Sequence, residues 1–165
     1  MSENENAPYA TSTVTNTAET PGMAQTPFSL DTVKKIRTIH LERAKAEGEK
    51  FSMLTCYDFS TAQVFDRAGI EMLLIGDSAA NVMLGYESTL AITLDEIIPM
   101  VAAVSRGAKR AMVVADLPFG TYEQSPQQAV ASAARLMKEG GAHAVKIEAD
   151  ARMADWVQAL VTAGI

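Results

Sequence analysis

The strongest constraint on the fold is a pattern that recurs along the chain: a short apolar run that ends abruptly in an acid. It appears as Met72-Leu73-Leu74-Ile75-Gly76-Asp77, as Met112-Val113-Val114-Ala115-Asp116, and as Ala142-His143-Ala144-Val145-Lys146-Ile147-Glu148. An earlier run, Phe51 to Tyr57, closes on Asp58 in the same way. Runs this short and this apolar read as strands covered on both faces, which is the habit of parallel sheets. Between them lie helical patterns with readable caps. Ser60 with Gln63 and Thr93 with Glu96 have capping-box spacing, and Ser125-Pro126 places a cap before a first-turn proline. Pro99 falls inside the helical stretch that follows Thr93 and is expected to kink or delay it. Residues 79–92 read as a long loop.

The order is strand then helix four times, with strands starting near residues 51, 71, 110 and 142. This predicts an α/β fold with a parallel sheet and right-handed crossovers. Four such units suit either a small open sheet or half of a (β/α)₈ barrel. A full barrel needs about 250 residues, so a chain of 165 residues reads as ending near a barrel's midpoint. Ahead of the repeats, a helical texture runs from about Leu30 to Gly48. Residues 1–28 have no apolar period and are expected to form a disordered tail, leaving 29–165 as the folded unit.

Charge narrows the function classes. Residues 1–33 carry −4 of the net −6, and neither part has the basic stripe that nucleic acid requires. No apolar run is long enough to suggest a membrane span, and the N-terminus lacks the features of a signal peptide. The single cysteine, Cys56, excludes an internal disulfide and fits a reducing compartment, so a cytoplasmic location is expected.

In parallel α/β architectures ligands bind at the carboxyl ends of the strands, where Asp77, Asp116 and Glu148 are expected. Oxygen ligands without nearby histidine or cysteine suit a hard cation, magnesium above all. Each acid taken singly could instead cap the following helix, and for Asp58, two residues before Ser60, capping is the preferred reading. Lys146 lies two residues before Glu148, so both side chains leave the strand on one side. That ammonium suits either an anionic substrate group or a structural ion pair. Ser78 could donate to a substrate or satisfy a turn. His40, His143, Cys56 and Trp156 are expected to be structural.

Several of these stretches together resemble the ketopantoate hydroxymethyltransferase family. They are Leu54-Thr55-Cys56-Tyr57-Asp58, Ile75-Gly76-Asp77-Ser78, Ser88-Thr89-Leu90, Ala115-Asp116-Leu117-Pro118-Phe119 and Val145-Lys146-Ile147-Glu148. The resemblance implies a (β/α)₈ barrel that carries a one-carbon unit from 5,10-methylenetetrahydrofolate to 3-methyl-2-oxobutanoate, giving 2-dehydropantoate on the way to pantothenate and coenzyme A. It implies a magnesium ion held by Asp77, Asp116 and Glu148 that stabilises the substrate enolate. Substrate contacts are implied at Asp77, Ser78, Asp116 and Lys146, with a homo-oligomer, decameric in many members. The family's proton-accepting glutamate would lie beyond residue 165, so no catalytic base is assigned and the isolated chain is expected to be inactive. The chain departs from the family pattern at Ala79-Ala80 and Ala149-Asp150, both loop positions. Two rival readings are another magnesium-dependent oxo-acid barrel, of the phosphoenolpyruvate mutase and isocitrate lyase type, and a non-catalytic half-barrel interaction module.

Overall fold

The computed structural model describes residues 28–165. Except for Phe28, the tail expected over residues 1–28 lies outside the described residues. Four strands, β1 (Met53–Thr55), β2 (Met72–Ile75), β3 (Met112–Asp116) and β4 (Ala144–Lys146), form one sheet in the order β1-β2-β3-β4, and every pairing is parallel. An open doubly wound sheet reverses its strand order at a switch point. Here the order is sequential throughout, as in successive units of a barrel wall.

Six α-helices accompany them among the described residues: α1 (Thr38–Glu47), α2 (Phe59–Arg67), α3 (Ala79–Val82), α4 (Leu94–Gly107), α5 (Pro126–Lys138) and α6 (Ala154–Thr162). The boxes and caps at Thr93–Glu96 and Ser125 form as expected. At α2 the expected Ser60–Gln63 box gives way to Asp58, whose carboxylate accepts from Thr61 N and Oγ1. An acid binds both donors at once, so the helix starts two residues earlier. Residues 79–92 are not one loop: they contain α3 and a 3-10 turn, Thr89–Ala91, and Asn81 Nδ2 donates to Tyr86 O. Helix α4 runs through Pro99, which faces solvent, so the carbonyl its ring leaves unpaired is near water.

The helical stretch expected from Leu30 to Gly48 is divided. A 3-10 turn at Leu30–Thr32 precedes α1, and between them Ile36 is buried with its N–H on Arg110 O. That bond draws the backbone across the amino end of the sheet. Leu30, Ile36 and Ala44 form a floor against Met112 and Val114, while the larger core lies between the sheet and α2, α4 and α5. Gly107 permits the close approach of α4 to α2, since a Cβ there would lie 2.7 Å from Phe59 O. Strand β3 is buried at every position, as an apolar run predicts. Strand β1 is exposed at every position, so among the described residues it is not covered on both faces. No helix among the described residues is long and apolar enough to cross a membrane.

The turn from α4 into β3 hangs on Asp66, which accepts N–H bonds from Lys109, Arg110 and Ala111 at 2.9, 2.9 and 2.7 Å. Arg110 in turn donates to the carbonyls of Leu30, Val33 and Gly69, tying the floor to the sheet. Asp66→Ala leaves three N–H groups without their acceptor and is expected to cost about 3 kcal/mol. Asp66→Asn, which keeps one oxygen, is expected to cost about half of that. Urea unfolding of the two variants checks both values.

Candidate active site

A pocket of about 130 Å³ opens at the carboxyl end of the strands. At roughly 10–15 Å³ per water position it has room for a small metabolite and not for a dinucleotide. Its wall includes Asp77, Asp116, Lys146 and Glu148 together with the apolar Leu90, Leu117 and Phe119. Strand β2 delivers Asp77, β3 ends on Asp116, and β4 delivers Lys146 with Glu148 just beyond it. Four of the five residues singled out in the sequence therefore meet at one wall. Ser78 stands just behind it: its hydroxyl is 2.9 Å from the Tyr57 phenol, and it is not among the lining residues.

Asp116 is the centre of this wall. It is only 5% exposed, and in the ladder it sits directly opposite Lys146. One carboxylate oxygen, Oδ2, accepts the Asp77 N–H at 3.1 Å. The other, Oδ1, lies 2.9 Å from Lys146 Nζ. The ammonium approaches off the direction of a hydrogen bond, so this buried oxygen has an ion-pair partner but no directed donor. Burial pushes the Asp116 carboxyl above the usual carboxylate range, against the pull of Lys146. Burial acts the other way on Lys146, but the carboxylates of Asp116, Glu148 and Asp77 outweigh it and hold the ammonium above the ordinary lysine value.

Lys146 Nζ also lies 3.6 Å from Glu148, whose side chain is 78% exposed. Among the described residues no three Asp, Glu, His or Cys side chains are gathered at metal-binding distance. The donor chemistry nevertheless fits a hard divalent cation. The donors are all oxygens, Asp116 Oδ1 lacks a directed hydrogen bond, and Glu148 is free to swing. Asp58, by contrast, is occupied as the cap of α2.

The other expected structural residues have structural contacts. His143 Nδ1 accepts the Val113 N–H at 2.8 Å, and His40 Nδ1 accepts the Arg37 N–H. Cys56 is buried, and that burial pushes its thiol up. Trp156 Nε1 donates to Tyr122 O at 2.7 Å.

Sequence reasoning missed Tyr122 and Tyr57. Tyr122 is buried, lines the pocket and donates its phenol proton to the Glu148 carbonyl, fixing the end of β4 that carries the acid. Thr89 and Leu90, quoted above only as a motif, reach the pocket because the 3-10 turn folds back over it. No helical or strand period flags the tyrosines, whose partners lie 21 and 26 residues away.

The Asp116–Lys146 pair sets a pH dependence. A folded-state pKa above the unfolded value means that folding favours the protonated acid. The support Asp116 gives is therefore full below its unfolded pKa and withdrawn as pH rises through the folded value. Removing the ammonium raises that folded value further. Lys146→Met is expected to cost about 2 kcal/mol at neutral pH, discounted from a fully buried pair because Lys146 is 36% exposed. At pH 4, where more of the acid is protonated, the loss should be smaller; urea titrations at both pH values check the difference.

Comparison with known proteins agrees with this geometry. The family model described as ketopantoate hydroxymethyltransferase matches residues 35–165. A protein of Mycobacterium sp. (strain KMS) named 3-methyl-2-oxobutanoate hydroxymethyltransferase is 60% identical over 131 residues, which are 79% of this chain and 46% of that one. Its namesake in Mycobacterium tuberculosis (strain CDC 1551 / Oshkosh) is 56% identical over 142 residues, 86% of this chain and 50% of the relative. The chain thus spans about half the length of the curated relatives it matches. Among solved structures, 2,3-dimethylmalate lyase, a PEP mutase/isocitrate lyase superfamily member, aligns with a TM-score of 0.55 at 22% identity. The alignment covers 76% of this chain and 46% of that one. That likeness bears on the fold alone and supports a β/α barrel wall. The match over most of the sequence places the chain in the ketopantoate hydroxymethyltransferase family.

Proposed function

We propose that this chain supplies the substrate- and metal-binding wall of an enzyme that transfers a one-carbon unit from 5,10-methylenetetrahydrofolate to 3-methyl-2-oxobutanoate, forming 2-dehydropantoate. The observation that carries the reading is the convergence of Asp77, Asp116, Lys146 and Glu148 on one small pocket of mixed polarity. A branched 2-oxo acid has an anionic end and an apolar end, and the pocket has a counterpart for each. The Lys146 ammonium attracts the carboxylate. Leu90, Leu117 and Phe119 receive the branched hydrocarbon end.

Asp77, Asp116 and Glu148 would hold magnesium in this reading. When bound, the cation supplies Lewis-acid stabilisation of the negative charge that gathers on the oxo oxygen once the neighbouring carbon loses its proton. The chain's own residues do the rest of the binding. Asp116, held by the Asp77 N–H and Lys146, keeps its carboxylate at a fixed place on the wall. The Ser78 hydroxyl offers a donor beside Asp77. Holding the oxo acid in one orientation removes most of the search before the carbon–carbon bond forms with the folate methylene. The pocket is small and polar enough to favour this small acid over larger apolar ligands.

The test is calorimetric binding of 3-methyl-2-oxobutanoate to the chain, with and without magnesium. Lys146→Met is expected to weaken binding by about 100-fold, the scale of a lost charge-assisted pair. Asp116→Asn is expected to abolish the enhancement by magnesium. Unchanged affinity in Lys146→Met would remove the oxo-acid reading. Binding that is tight but indifferent to magnesium in the unmodified chain would remove the metal from it.

A further inference from the structure

A second concavity, of about 400 Å³, lies beside the starts of β3 and β4 and shares no residue with the strand-end pocket. Its volume falls within the roughly 300–1,000 Å³ typical of small-molecule sites. Met112, Met137 and Ala142 give it an apolar surface, and Lys35, Arg37 and His143 bring three basic side chains to it. No acid is among its lining residues, and Asp66 and Arg110, whose bonds close the neighbouring part of the floor, do not reach it.

The positive charge here is unbalanced. Among the described residues neither Lys35 nor Arg37 lies within ion-pairing distance of a carboxylate. Lys35 Nζ gives one of its three donors to Ala111 O at 3.1 Å, which leaves two. His143 Nδ1 accepts the Val113 N–H, so the neutral ring carries its proton on Nε2 and donates from there. Helix α1 begins at Thr38, which also lines the groove; Arg37 is its N-cap, and its first turn has no acid. Positive charge at that end of a helix works against the backbone dipole, and an anion placed there relieves it. Burial, joined by the charges of Lys109 and Arg37, holds the half-buried Lys35 ammonium below the ordinary lysine value, although Asp66 pulls the other way.

We propose that this groove is a second ligand site, which takes a small organic carboxylate: its apolar chain lies against Met112, Met137 and Ala142, and its carboxylate meets Lys35 and Arg37. An inorganic anion would leave the apolar surface unused, and a neutral apolar molecule would leave the cations uncompensated. An amphiphilic carboxylate answers both. The proposal is independent of what the strand-end pocket binds, since neither Lys35 nor Arg37 lines that pocket.

The probe is octanoate, titrated into the unmodified chain by calorimetry, with octanamide as its uncharged counterpart. Octanoate is expected to bind at a single site and to shift the methyl NMR signals of Met112 and Met137, and octanamide to bind about 10-fold more weakly or less well still. Lys35→Met, which keeps the apolar stem, is expected to weaken octanoate binding about 10-fold, and Arg37→Gln, at an exposed position, about 3-fold. Each variant is first shown to melt cooperatively. Lys146→Met should leave octanoate binding intact, which separates this site from the strand-end pocket. An unmodified chain that takes up no octanoate, whether because another part of the chain fills the groove or because its cations are merely solvated, would overturn the proposal. So would equal affinity for octanamide, full affinity in Lys35→Met, or a loss of octanoate binding in Lys146→Met.

Discussion

The structure depends on one buried carboxylate. Asp116 ends the strand that is buried at every position, and an acid so placed is tolerated only with compensation. The compensation comes from both neighbouring strands. On one side β4 is in the register that sets Lys146 opposite Asp116. On the other, the chain leaves β2 at a glycine, and the next backbone N–H turns onto Oδ2. A slip of either strand by one residue would exchange its faces and strand the charge. The requirement that keeps the sheet in register is therefore the same one that builds the pocket.

The two ends of the sheet divide the work. At the amino end the contacts are closed: Asp66 takes three N–H groups, Arg110 donates to four backbone carbonyls, and Ile36 is hydrogen-bonded into the floor. At the carboxyl end the groups are half-committed. Glu148 is mostly in solvent, Asp116 Oδ1 has an ion pair without a directed donor, and Phe119 and Leu90 are exposed. Satisfied groups stabilise, and partly satisfied ones are available to a ligand. This is the division of labour expected of a β/α barrel wall, with stability at one face and chemistry at the other.

What the sequence made legible follows from the range of the interactions involved. Strand-end acids, the four-fold alternation and the caps at Thr93 and Ser125 depend on residues a few positions apart, and they are present as read. Most of the misread features depend on distant partners. Val33 to Arg37 looks helical until Arg110, more than 70 residues on, takes the Ile36 N–H. One exception is local: the Ser60–Gln63 box yields to Asp58, the cap expected two residues earlier, because a carboxylate accepts from both the N–H and the hydroxyl of Thr61. Tyr57 and Tyr122 carry no periodic signal, since each matters through one bond across the top of the sheet. Strand β1 has the composition of a covered strand yet is exposed, and composition alone does not say what covers it.

The charge count explains why the acids are near one another without being gathered. Three carboxylates drawn to within a few ångströms with nothing between them would raise one another's pKa values and shed charge by taking up protons. Lys146 stands between Asp116 and Glu148 and neutralises one of the three, leaving two negative charges on the wall. A divalent cation would match that remainder, with Asp77, Asp116 and the exposed Glu148 as the residues that would hold it. The ammonium is more than a third exposed and is shared between Asp116 and Glu148, so the wall keeps its balance without burying a second full charge. The spacing of the acids therefore follows from the lysine: without it, the three could not all stay ionised at one end of the sheet.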